Sequence, residues 1–151
     1  MIYSAHVKAT TARAKPLVNA QTRGWPLRAG EVAARVRAGL PVSEFDTLRA
    51  LLGLTVEDLA ARTGVSIATL SRRRQRGLPL DTGHGDRLMR FARLFRLALE
   101  LYDGDEKAAR AWLTMPARAL GGETPLDHAG TEAGAREVEQ LIGRLEHGVY
   151  T

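Results

Sequence analysis

The 151-residue chain has no cysteine. Disulfide frameworks, thiolate metal sites and cysteine nucleophiles are therefore excluded, and a reducing, cytoplasmic setting is expected. No stretch approaches the roughly 18 uninterrupted apolar residues of a membrane span, so no membrane contact is expected. Sustained strand alternation is missing, and so is any acidic residue ahead of Glu31. Catalytic constellations are missing as well. The histidines His6, His84, His128 and His147 are scattered, with no H-E-x-x-H and no i, i+4 pair. Gly83-His84-Gly85 and Gly121-Gly122 lack a preceding strand and a phosphate-binding lysine, so neither is a P-loop. Asp103 and Asp105 sit at a helix start, where capping accounts for them. An enzyme is not expected, nor a cofactor or a metal.

What is present suffices for one domain or two small ones, with 44% hydrophobic residues to build a core without staples. The net charge of +5 is unevenly spread: residues 1–100 hold 17 Lys+Arg against 8 Asp+Glu, and residues 101–151 hold 5 against 9. A basic front suits a polyanion, and an acidic back suits some other partner. Ordinary solvated surface would give the same balance.

Residues 1–24 combine Lys8, Arg13, Lys15 and Arg23 with Ala, Thr and Pro and show no apolar period. Such a segment buries too little to offset its ordering entropy, so it is expected to be flexible or loosely docked. It lacks the apolar stretch of a secretory signal, although its acid-poor start is similar to a mitochondrial transit peptide.

Helix punctuation follows. Ala29–Ala38 stops at Gly39, and Ser43 with Asp46 caps a helix carrying Phe45, Leu48, Leu51 and Leu52. Thr55 with Asp58 and then Ser66 open two further helices, the second ending at Gly77. Residues 78–85 read as a loop, and Asp86–Tyr102 as a long helix that is apolar on nearly all sides. Such a helix is buried centrally or against a second copy, and a dimer through 86–102 is expected. Asp105 caps the next helix, Thr124 with Pro125 and Asp127 a short one, and Thr131 the last. The fold class is all-α.

Thr55–Gln75, TVEDLAARTGVSIATLSRRRQ, combines the signals of a helix-turn-helix. Gly64 supplies a left-handed turn, Ala60 permits close crossing, and Leu59, Val65 and Leu70 point inward. The helix from Ser66 would then lie in the major groove of operator DNA. Ser66, Ile67, Ala68, Ser71 and Arg72 point outward in that reading, with Thr69 near the backbone and Arg73 in the cluster Arg72–Arg76. Counting from Leu70, positions 73 and 74 face inward, yet both are arginine. Either their stems pack beneath the charge or the helix ends early.

At Leu59–Gln75 the chain resembles the helix-turn-helix of the Xre family. TLSRRRQRGLPL, GDRLMRFARLF and the sequence from Lys107 onward resemble the antitoxins paired with RES-domain toxins. Trp112-Leu113, Pro116, Ala119–Gly122, Thr124–Leu126, Thr131-Glu132, Gly134 and Gly148 match that family's toxin-binding domain by residue type. The resemblance covers roughly 45–151. It implies a bacterial homodimer that neutralises a RES-domain toxin and represses its own operon. NAD would be the toxin's substrate and no ligand of this chain. It further implies toxin contacts at Arg144, His147, Gly148, Val149, Tyr150 and Thr151, whereas Trp112 and Gly121-Gly122 read as stabilising their own domain. Where the family tends to have Glu-Ser before the long helix, this chain has His84-Gly85.

The expected organisation is a flexible basic segment 1–24, a DNA-binding domain 25–85, and a dimerisation and toxin-binding domain 86–151. Two other readings stand beside it: a repressor without a toxin, and a protein-binding inhibitor whose helix-turn-helix is vestigial.

Overall fold

The computed structural model describes residues 15–148. Nine α-helices run in chain order over these residues: α1 (Leu17–Arg23), α2 (Glu31–Ala38), α3 (Val42–Leu52), α4 (Val56–Thr63), α5 (Ile67–Arg76), α6 (Thr82–Leu101), α7 (Glu106–Thr114), α8 (Pro125–His128) and α9 (Glu132–Glu146). A 3-10 turn, Arg118–Leu120, lies between α7 and α8, and the described residues hold no strand. The all-α expectation holds.

α6 is the axis of the molecule. Leu88, Phe91, Ala92, Leu94, Phe95 and Ala98 along it have no measurable exposure, because α1, α2, α3, α4, α7 and α9 all pack on it. Much of its apolar surface is therefore met within the chain, while Leu97, Leu99, Leu101 and Tyr102 stay half-buried, and a dimer through 86–102 stays a proposal.

The helix starts one turn earlier than expected, inside the stretch read as a loop. Asp81 caps it, its carboxylate accepting the His84 N–H at 2.9 Å. Gly85 thereby becomes a buried helical residue, and a Cβ there would meet Val36 Cγ1 at 3.3 Å. The missing side chain lets α2 approach. Nearby, Gly39 at φ 101° passes under Pro79, where a Cβ would fall 2.7 Å from the proline ring. The Leu80 N–H then donates to Leu40 O at 2.8 Å and pins the loop after α5.

Part of the 1–24 segment is also ordered. α1 docks on α3 and α6 with Leu17 and Val18 fully buried. Its first N–H groups donate to the Glu44 carboxylate, Leu17 at 2.9 Å and Val18 at 2.7 Å. That cap comes from 26 residues away, so no local pattern announces it. Residues 1–14 lie outside the described residues.

Candidate functional site

Two short helices build the first surface. Thr55 accepts the Asp58 N–H at 3.1 Å and opens α4, which ends at Gly64 in the left-handed region (φ 72°). Ser66 accepts the Thr69 N–H at 3.0 Å and opens α5. Leu59, Ala60, Val65 and Leu70 are buried, as the sequence pattern requires of a helix-turn-helix. The opposite side of α5 faces out: Ser66, Ile67, Ala68, Ser71 and Arg72 are exposed, Ile67 to 45% although it is apolar. Thr69 is half-buried, and the Ser66 hydroxyl donates to its Oγ1 at 2.8 Å.

The arginine cluster divides in two. Arg74 forks onto Asp46 of α3, with Nη1 and Nη2 donating to its two oxygens at 2.5 and 3.0 Å. This hydrogen bond holds the guanidinium above its ordinary pKa. Asp46 is thus a partner of α5, and Ser43 caps nothing: α3 begins at Val42 behind Pro41 without a side-chain cap. Arg73, expected among the DNA contacts, is half-buried and donates from Nη1 to Pro79 O at 2.5 Å. The helix does not end early but continues to Arg76; Arg73 is half-buried, whereas Arg74 stays exposed in its pair with Asp46. Arg72 and Arg76 keep exposed guanidinium groups, so α5 presents a shorter outward set than its sequence suggested.

The carboxyl-terminal helices form the second surface. Arg144 is half-buried near the end of α9, and His147 and Gly148 follow it exposed. The structure thus brings these three together at one end of a helix. Val149, Tyr150 and Thr151 lie outside the described residues. Trp112 is half-buried against the core, and Met115, just past α7, is 59% exposed. Gly134 abuts the end of α8 so closely that a Cβ would overlap the His128 carbonyl.

Ion pairs join the two surfaces. From α6, Arg90 donates to Glu132 at 3.0 Å and to Gly130 O at 3.2 Å. Arg93 bridges Glu132 at 3.1 Å and Glu139 at 2.5 Å. Burial alone would raise the Glu132 carboxyl. The Arg90 hydrogen bond and the Arg93 charge together outweigh it and hold the pKa below its ordinary value. Arg62 of α4 donates to Asp127 of α8 at 2.8 Å as well as to Asp58 of its own helix at 3.0 Å. His128 sits between Glu137 at 2.5 Å and Glu123 at 3.2 Å. The Glu137 bond, then the Glu123 bond, raise its pKa against the opposing effect of burial. Sequence reasoning assigned none of these partners, since all but Asp58 lie at long range or across a loop.

Fold and surface together define a helix-turn-helix DNA-binding protein that carries a further helical unit on its central helix. Comparison with known proteins agrees region by region. Residues 31–93 match the antitoxin Xre-like helix-turn-helix domain, and residues 97–148 match the antitoxin Xre/MbcA/ParS C-terminal toxin-binding domain. Antitoxin Xre of Yersinia enterocolitica is 33% identical over 129 residues, covering 85% of this chain and 87% of that protein. Antitoxin Xre of Photorhabdus laumondii is 34% identical over 132 residues, covering 87% and 89% respectively. A third relative, antitoxin Xre of Pseudomonas putida, shares 30% over 84 residues, 56% of this chain and 52% of its own length. The chain belongs to the Xre antitoxin family. Among the described residues no helix is long and apolar enough to cross a membrane.

Proposed function

We propose that this antitoxin acts in the cytoplasm, neutralises a RES-domain, NAD-consuming toxin and represses its own operon through α5. One observation carries the DNA half of the reading. The first two turns of α5 turn Ser66, Ile67, Ala68, Ser71 and Arg72 outward while Leu70 anchors the helix beneath. A major groove takes a helix presented in this way, and small side chains at its start let the backbone come close to base edges. Arg72 reads or clamps, Thr69 lies toward the sugar-phosphate wall, and Arg73 supports the helix from behind.

The toxin half rests on the match over residues 97–148 and on the exposed end of α9. Arg144, His147, Gly148, Val149, Tyr150 and Thr151 enter or cover the toxin's active site in this reading. The antitoxin works as a homodimer through 86–102, where Leu97, Leu99, Leu101 and Tyr102 are only half-buried, and presents two α5 helices to a two-fold operator. A single experiment tests both halves. The chain lacking His147–Thr151 is co-expressed with the RES-domain protein encoded beside its gene, and growth, NAD and repression are followed. Growth arrest with NAD loss, while the upstream DNA is still bound, is the expected result. A protected culture with intact NAD refutes the role of the tail, and absence of a RES-domain neighbour refutes the choice of toxin.

A further inference from the structure

The turn between α4 and α5 is gripped from outside the helix-turn-helix. Helix ends leave carbonyls without intrahelical partners. At the end of α4, the Ala60 and Ala61 carbonyls accept the N–H groups that follow at the cap. Of the three carbonyls that follow, those of Arg62, Thr63 and Gly64, none accepts a backbone N–H among the described residues. α6 supplies donors to the last two. Arg87 Nη1 donates to Thr63 O at 3.2 Å, and His84 Nε2 lies 3.2 Å from Gly64 O. A carbonyl only accepts, so the proton on that imidazole edge is at Nε2. The guanidinium also lies close against the turn, since a Cβ on Gly64 would stand 3.1 Å from Arg87 Nη1. Asp81 holds His84 at both levels: its carboxylate caps the backbone N–H at 2.9 Å and lies 3.1 Å from the imidazole Nδ1.

From these contacts we infer that His84 and Arg87 are positioning residues for DNA reading. They act through the turn: Gly64 O lies two residues before Ser66, and Ser66 opens the helix whose first turn meets the bases. Two bonds onto that short connection set the direction in which α5 leaves α4. This inference rests on the DNA-reading role proposed for α5. It gives a task to His84, which no sequence motif accounted for.

The test uses the full chain and a duplex taken from upstream of its gene. Arg72→Ala, His84→Ala, Arg87→Ala and the conservative His84→Gln and Arg87→Lys are titrated at several salt concentrations, well below each variant's melting temperature. Arg72→Ala is expected to weaken binding and to reduce the slope of log affinity against log salt by up to about 0.9. His84→Ala and Arg87→Ala are expected to weaken binding about three- to tenfold each, the worth of one carbonyl bond, with the slope unchanged. The conservative variants are expected to recover most of that loss. In parallel, amide exchange of Gly64–Leu70 in the free protein should quicken in the alanine variants while α9 stays as protected as before. That second readout serves if an alanine variant melts too low for titration. A reduced slope for Arg87→Ala overturns the inference, because the arginine then contacts phosphate itself. Unchanged affinity and unchanged exchange at His84→Ala and Arg87→Ala overturn it too, while Arg72→Ala still weakens binding. If Arg72→Ala has no effect either, the reading of α5 fails and the positioning role fails with it.

Discussion

Glu44→Ala should release α1 and leave the rest of the antitoxin folded. Glu44 is only 3% exposed, and its carboxylate accepts the two N–H groups at the start of α1. Holding the seven residues of α1 in place costs about 7–14 kcal/mol of backbone entropy, at about 1–2 kcal/mol each. Burial of Leu17 and Val18 returns ~1.5–3 kcal/mol apiece. The two hydrogen bonds to a charged acceptor return ~1.5–3 kcal/mol apiece. These opposing terms nearly cancel, so docking is marginal and the Glu44 share decides its sign. Removing the carboxylate leaves two choices: buried N–H groups without partners, or an undocked α1. Undocking is cheaper, because it returns the ordering entropy and lets water reach the amides. Hydrogen exchange reads the outcome. Amides of Ala20–Arg23 should lose the protection that docking gives them, while Val138–Ile142 change little. Trypsin should cut after Arg23 early. Unchanged protection across α1 would show that its apolar face alone holds it, and the assignment of Glu44 as its anchor would be wrong.

Gly134→Ala should lower stability by ~3 kcal/mol or more, about 6–12 °C in Tm for a chain of this size, because the new methyl overlaps the His128 carbonyl; an unchanged melting curve would refute the close contact of α8 and α9. His128 has a raised pKa, so its ion pairs stabilise fully below about pH 6.5 and that stability is lost as pH rises through the folded value. Melting from pH 6 to 9, set on either side of that ordinary value of about 6.5, should therefore show a decline in the wild type that His128→Gln lacks, and parallel curves would contradict it. Arg74→Ala should leave the salt slope of DNA binding unchanged, since Arg74 is paired with Asp46; a slope reduced by about 0.9 would place Arg74 on a phosphate instead.

Legibility in the sequence followed the range of each interaction. The caps at Thr55, Ser66, Asp105, Thr124 and Thr131 lie three residues from the N–H they accept, and each opens a helix where it was expected. Leu59, Val65 and Leu70 could be placed inside because a helix-turn-helix closes its own small core. α1 could not be seen, as its cap belongs to Glu44 on another helix. Asp46 reads locally as the partner of Ser43, yet its oxygens go to Arg74, 28 residues on. Arg73 shows the same limit: local counting gave its inward direction, but the carbonyl of Pro79 that accepts its hydrogen bond became visible only with the loop folded back. The start of α6 was hidden for a different reason. Gly83 and Gly85 argue against a helix by propensity, and only the close approach of α2 explains why glycine is needed at position 85.

The arginines of α6 join these facts into one argument. Arg87, Arg90 and Arg93 recur every three residues, so they form a ridge along one edge of a helix whose other sides are core. The first reaches the turn ahead of the recognition helix, and the next two reach the start and middle of α9. Exposed ion pairs of this kind add little stability singly. Their worth lies in direction, because each fixes the approach of a helix that the apolar contacts alone would let slide. The two family matches meet between residues 93 and 97, in the middle of this helix and among its most deeply buried side chains, Leu94, Phe95 and Ala98. Separating the halves there would expose that surface on both. The two matched regions therefore share a core, and the helix that bonds the turn before Ser66 also bonds the start and middle of α9.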